Sequence, residues 1–153
     1  MENPLAGPTQ SSTSRRFGYA VAVAVNAAIL VVVNNILEWG WFPWLTDDFE
    51  LVLPLVNLSL VATILANIAY MAYDAAWFKS ICEIGQLSIS IAVAIRTFRV
   101  FPFDFAAYTW DWEATTRLTI VVAIVAMFIA IIVHVVRLIM ELVHLGHTHQ
   151  PSH

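Results

Sequence analysis

Charge is scarce in this chain, and so is cysteine. Asp, Glu, Lys and Arg together make up 12% of its 153 residues, where a soluble domain carries roughly a quarter. The single thiol, Cys82, excludes disulfide exchange, which needs a pair. Gly-rich phosphate loops, a nucleophile elbow and an HExxH helix are all missing, so the common signatures of phosphoryl, acyl and zinc-peptidase chemistry are missing with them. Haem held between helices needs paired axial ligands, and His134 is the one histidine inside an apolar run. The tail carries His144, His147, His149 and His153, but a flexible His-rich tail binds divalent metal weakly and without defined geometry. The expectation is no cofactor and no structural metal, and enzymatic activity has no residue pattern behind it.

What the chain has in abundance is apolar sequence: 60% of residues, with a mean hydropathy of +0.78. Four stretches, 18–37, 51–73, 80–95 and 118–140, are nearly free of charge. About 20 apolar residues cross a hydrocarbon core of about 30 Å, and the third stretch reaches that length if it continues to Val100. The expected fold is an all-α polytopic membrane protein, a bundle of four transmembrane helices at about 18–37, 48–74, 79–100 and 112–141. A soluble bundle would need polar faces recurring every three or four residues, and 20–33 offers only Asn26. Arg15 and Arg16 ahead of the first run have a likeness to a twin-arginine address. The run is longer than a roughly 7–15-residue signal core and no small-x-small cleavage site follows, so helix 1 is expected to stay as an anchor. Residues 1–16 and 142–153 are polar and are expected to be mobile.

Basic residues set the expected orientation. Arg15, Arg16, Lys79 and Arg137 fall on one side, and Arg96, Arg99 and Arg117 on the other. The Arg pair precedes the first helix, so both termini are expected in the cytoplasm, with the protein in the cell inner membrane. Trp39, Trp41, Trp44, Trp110 and Trp112 then crowd the two outer connections, while Trp77 marks the inner one, as interfacial aromatic belts do.

Those two outer connections share a pattern. Phe42-Pro43-Trp44 leads to Thr46, Asp48, Phe49 and Glu50; Phe101-Pro102-Phe103 leads to Thr109, Asp111, Trp112 and Glu113. Proline stops the outgoing helix, the aromatic seats in the interface, and Thr or Asp followed by Glu answers the free N–H groups of the next helix. The repetition suggests two parallel pseudo-repeated helical hairpins about an axis along the membrane normal; convergence on turn chemistry is the alternative.

Polar residues inside the spans form stripes: Thr63, Asn67, Tyr70 and Asp74 on helix 2, Glu83, Gln86 and Ser90 on helix 3, and His134, Arg137 and Glu141 on helix 4, with Asn26 and Asn34 on helix 1 and Asn57 on helix 2. Asn26, Asn57, Thr63, Asn67, Tyr70, Glu83 and Gln86 are the candidate intramembrane site. The bland reading is hydrogen bonding between helices, worth about 0.6 to 2 kcal/mol each. The alignment of the two turns puts Asp74 and Arg137 at equivalent positions, an expected ion pair. Arg96 and Arg99, three residues apart, are expected to pair with Asp47, Asp48, Glu50 and Asp104.

The four-span outline, Arg15-Arg16 before helix 1 and the aromatic-Pro turns resemble small uncharacterised bacterial four-span integral membrane proteins. The resemblance implies a location and no activity. The expected partners are the lipid bilayer and other membrane protein, this chain's own copies included, and no nucleic acid. The expected function is non-catalytic association with itself or with a larger membrane complex. The alternatives are a small-solute or ion carrier using the stripes on helices 2 and 3, and, third, an enzyme or redox subunit.

Overall fold

The computed structural model describes residues 12–147 with the exception of Asp74. It contains four helices, α1 (Ser12–Trp39), α2 (Leu53–Ala72), α3 (Ala76–Val100) and α4 (Trp112–His147), and one 3₁₀ turn, Asp47–Leu51. All four are long and apolar enough to cross a membrane. Even α2, with 20 residues, is about 30 Å long at 1.5 Å per residue, the thickness of a hydrocarbon core. The chain is an all-α, multi-pass membrane protein.

Helix ends differ from the sequence reading in ways local chemistry explains. The start expected for helix 2, at residue 48, falls within the Asp47–Leu51 3₁₀ turn, and α2 opens only at Leu53 with Pro54 in its first turn. Proline lacks an N–H that the first turn leaves unbonded anyway, so the helix begins there. At the two chain ends the helices run further than composition suggested, from Ser12 in α1 and to His147 in α4.

Each helix packs on its neighbour in sequence. α1 lies along α2 and α3 along α4 in two extensive hairpins, joined by a thinner α2–α3 seam. Among the described residues no other helix pair packs extensively. The bundle is therefore an open row of two hairpins, and few residues are buried: Ala66 and Tyr70 on α2, Ser80 and Ile91 on α3, and Val52 and Pro102 in the connections. Lipid is as apolar as these surfaces, so packing and hydrogen bonds, rather than the hydrophobic effect, hold the helices together.

The two long connections fasten the hairpins to each other at one end of the row. Both outgoing helices stop on a left-handed residue, Gly40 (φ 59°) after α1 and Phe101 (φ 47°) after α3. Gly40 N–H donates to Leu37 O at 3.2 Å and Phe101 N–H to Thr97 O at 2.8 Å. Glycine takes this conformation freely, whereas for Phe101 it costs about 1–2 kcal/mol. Past the prolines the segments run antiparallel: Leu45 lies opposite Phe103, Thr46 N–H donates to Pro102 O at 3.0 Å, and Asp104 N–H donates to Trp44 O at 2.8 Å. With Phe42-Pro43-Trp44 laid on Phe101-Pro102-Phe103, Trp44 matches Phe103 and Leu45 matches Asp104. Each residue thus faces the counterpart of its neighbour, a two-fold register that is local to the connections. The helices do not follow the expected axis along the membrane normal, which would match the α2–α3 seam with an α4–α1 seam of the same extent, and none is present among the described residues. Trp44 packs between Phe42, Phe103 and Phe105, with ring centroids 5.1, 5.8 and 6.2 Å away.

The helix starts after the turns are not equivalent. Asp111 Oδ1 accepts from Ala114 N–H at 3.0 Å, an N-cap of α4. Thr46 makes no side-chain cap bond, and its hydroxyl is buried without a hydrogen-bond partner.

The arginine that organises this end is Arg117. Its Nε donates to Glu113 Oε1 at 3.0 Å, its Nη1 to Phe98 O at 3.4 Å, and its guanidinium lies 4.0 Å from the centre of the Phe101 ring. Among the described residues, neither Arg96 nor Arg99 pairs with Asp47, Asp48, Glu50 or Asp104 as the sequence suggested. Arg96 Nε donates instead to Leu51 O at 3.2 Å, the carbonyl end of the 3₁₀ turn, and Asp104 Oδ1 accepts from Ala106 N–H at 2.9 Å within its own loop. Arg117→Gln is accordingly expected to destabilise the protein by about 1–2 kcal/mol, discounted for partial exposure, and Arg99→Gln by less. Thermal unfolding of both variants in one detergent checks this, and equal losses would remove Arg117 from its role.

Candidate functional site

Most of the deep amides and hydroxyls are answered within their own helices. Asn26 Nδ2 donates to Ala22 O at 2.8 Å, Thr63 Oγ1 to Ser59 O at 2.9 Å, and Asn67 Nδ2 to Thr63 O at 2.8 Å. With no water to accept, the carbonyl one turn back is the nearest acceptor. Asn26, Thr63 and Asn67 therefore do not assemble into a continuous polar path. Asn57 behaves differently. It exchanges two hydrogen bonds with Asn34, at 2.8 and 2.9 Å, and so ties α2 to α1 near the connections.

The remaining candidates converge toward the opposite end of the row. Tyr70 is 6% exposed, and Gln86 Nε2 lies 3.4 Å from both its hydroxyl and Cys82 O, linking α2 to α3. The Tyr70 ring sits 5.6 Å from Tyr19 of α1 and 6.1 Å from Phe78. Lys79 Nζ stands 5.2 Å from the Tyr19 ring centre and 5.9 Å from that of Tyr70. On the other side of α3, Glu83 Oε2 approaches His134 Nδ1 of α4 at 2.8 Å. That approach is close in distance but not aligned along the ring N–H, since His134 Nδ1 forms no hydrogen bond. The two side chains are 19% (His134) and 40% (Glu83) exposed. Glu141 adds a buried carboxylate oxygen without a hydrogen-bond partner two turns further on.

Of the seven sequence candidates, Tyr70, Glu83 and Gln86 thus fall in one cluster, Asn57 belongs to a separate helix clamp, and Asn26, Thr63 and Asn67 bond their own helices. Asn67 also faces a cleft of about 450 Å³ between α1 and α2, lined by Ser14, Arg15, Gly18, Tyr19 and Ala22. Asp74 lies outside the described residues, and with it the expected Asp74–Arg137 pair. Sequence reasoning missed Tyr19 and Lys79 as members of the cluster and set His134 aside as a lone histidine. Antiparallel helices at matched depth were the available signal, since Glu83 lies early in α3 and His134 late in α4.

Chemically the cluster offers a carboxylate beside an imidazole and an ammonium over two aromatic rings. Among the described residues no group of three His, Cys, Asp or Glu side chains stands close enough to hold a metal ion. No family model, no curated protein and no solved structure matches this chain.

The Asn34–Asn57 exchange is the clearest energetic unit here. Asn34→Ala and Asn57→Ala are each expected to destabilise by about 1 kcal/mol, and the double variant by hardly more than one single, because each amide answers the other. Asn67→Ala should be close to neutral. A double-mutant cycle in detergent unfolding measures both statements, and additive losses would dissolve the pair.

Proposed function

We propose that this protein is a non-catalytic component of a bacterial cytoplasmic membrane that associates with itself or with a larger membrane complex. The observation that carries the reading is the open row. α1 and α4 stand at its two ends, each packed extensively on one helix among the described residues, and four helices laid side by side enclose no interior to serve as a passage. Deep polar groups that a passage would need are turned onto their own helices. Helix α4 meanwhile presents an uninterrupted apolar surface with exposed Ala123 and Ala126, and small residues let helix backbones approach closely.

A small-solute or ion carrier is the second reading, and the Glu83–His134 contact beside Tyr70 and Gln86 favours it. The two readings separate on two variants. Under the first, Ala126→Trp weakens chemical cross-linking to other membrane protein several-fold, whereas Asn67→Ala leaves cross-linking and growth nearly unchanged. Loss of the growth phenotype in Asn67→Ala with a silent Ala126→Trp would hand the function to the polar stripe.

The orientation belongs to the same proposal. Arg15 and Arg16 ahead of α1, with four spans, favour both termini in the cytoplasm. Single cysteines at the exposed Asp48 and Thr109 in a Cys82→Ser background are expected to react with an impermeant maleimide on intact cells, and those at Ser12 and Ser152 only after lysis. The reverse pattern would invert the topology.

A further inference from the structure

The flank of α4 next to its α3 contact holds a charge without a carboxylate partner among the described residues. The less exposed residues of α4, Ile120, Ile124, Met127, Ile131, His134 and Leu138, mark the side turned to α3. At 100° per residue, Ala123, Ala126, Ala130 and Arg137 form a stripe on one flank of that side. Handedness fixes which flank. Because α3 and α4 are antiparallel and Glu83 touches His134, the alanine stripe and Arg137 lie on the same side of the row as Glu83. Arg137 is exposed, and among the described residues no carboxylate pairs with it. Glu83 keeps 40% of its side chain exposed despite His134. Depth matches as well, since Arg137 is three residues, about 4.5 Å along the axis, from His134.

We propose that a second copy of this chain docks along the Ala123–Ala126–Ala130 flank of α4, the partner's Arg137 reaching Glu83 of this copy and Arg137 of this copy reaching the partner's Glu83. The inference rests on the self-association reading and names its surface. A two-fold axis along the membrane normal keeps equivalent residues at equal depth, so two groups of opposite charge at one depth on one face are complementary to their own image. Charges within a span are expensive and seek partners there, and an arginine fork has room for a carboxylate oxygen that the imidazole does not hold. The alanines let the two α4 helices come close enough for that reach. The competing occupant is a headgroup phosphate, to which Arg137 would extend along the helix. That arrangement answers Arg137 and leaves Glu83 without its cation.

The test uses the full chain carrying Cys82→Ser and Ala126→Cys, reconstituted in vesicles of phosphatidylethanolamine and phosphatidylglycerol and oxidised with copper phenanthroline. A disulfide-linked dimer is expected. Arg137→Glu and Glu83→Arg, each added alone, are expected to lower its yield by about fivefold or more, and the two together to bring it back to within about twofold. Two results would overturn the proposal while leaving self-association standing: a dimer by light scattering that does not cross-link at position 126, or single substitutions that leave the yield unchanged. Loss in both singles without recovery in the exchange, with helicity by circular dichroism intact, would assign Arg137 to lipid and overturn it too. A monomer mass for the unaltered chain in detergent would overturn the proposal together with self-association, and leave association with other membrane protein as the remaining form of that reading.

Discussion

Hydrocarbon offers no hydrogen-bond partner, and every other feature of this molecule is a response to that constraint. Backbone amides close on themselves in four helices, each long enough to cross. The same rule then operates on side chains. Asn26, Thr63 and Asn67 reach back to carbonyls of their own helices, and Asn34 and Asn57 satisfy each other across α1 and α2. Of these, only the last exchange carries information about which helix lies next to which. The others are neutral toward packing, which is why a stripe of polar residues on α2 does not by itself build a site.

With so little polar adhesion between spans, the connections carry a large part of the architecture. The bridge between Leu45 and Phe103, the two backbone hydrogen bonds beside it and the ring stack around Trp44 join hairpin to hairpin at one end. Phe101 is held in a left-handed conformation between a buried Pro102 and the Arg117 guanidinium. Strain of this kind persists only where its surroundings over-determine it. At the other end Tyr70, Gln86 and the Glu83–His134 contact connect α2 to α3 and α3 to α4. The row is pinned at both ends and thinly packed between them.

How far the sequence foretold this depends on the range of the interaction. The spans were legible because they depend on composition within about 20 residues, and so were the stops at Pro43 and Pro102, since proline acts on its own turn. The start of α2 was misplaced because Asp47, Asp48 and Glu50 look like a helix N-terminus, while Pro54 decides where the α-helix begins. The arginine partners were misassigned for a different reason. Arg96 and Arg99 share a helix face with each other, but pairing requires knowing which loop passes over that face. Arg117, four residues from Glu113 and one helix away from Phe101, satisfied a local rule that attention to the longer-range acids obscured. Three of the seven candidate polar residues gathered in one cluster because they lie toward the same end of α2 and α3. Tyr19, which was missed, and His134, which was set aside, come from α1 and α4, whose depth relative to α3 is a property of the whole row; Lys79, also missed, lies on α3 itself.

An open row has a consequence for any function it serves. A helix bundle that closes on itself settles its polar residues in its own interior, and the membrane meets an apolar exterior. Here both faces of the row are exterior. Lipid can cover Val122, Ile129 and Val136 of α4 without cost, since those side chains are as apolar as the chains around them. It is a poor cover for the half-exposed carboxylate of Glu83 or for the Arg137 side chain one turn below His134, where each ionised group prefers an opposite charge or water. The uncovered charges and the Ala123–Ala126–Ala130 flank fall on one side of the row, while the opposite side of α3, at Ile81 and Ile95, is exposed and apolar. The two sides are therefore not equivalent solvents for lipid. That asymmetry, more than any single residue, is what separates a face built to meet protein from a face built to meet hydrocarbon.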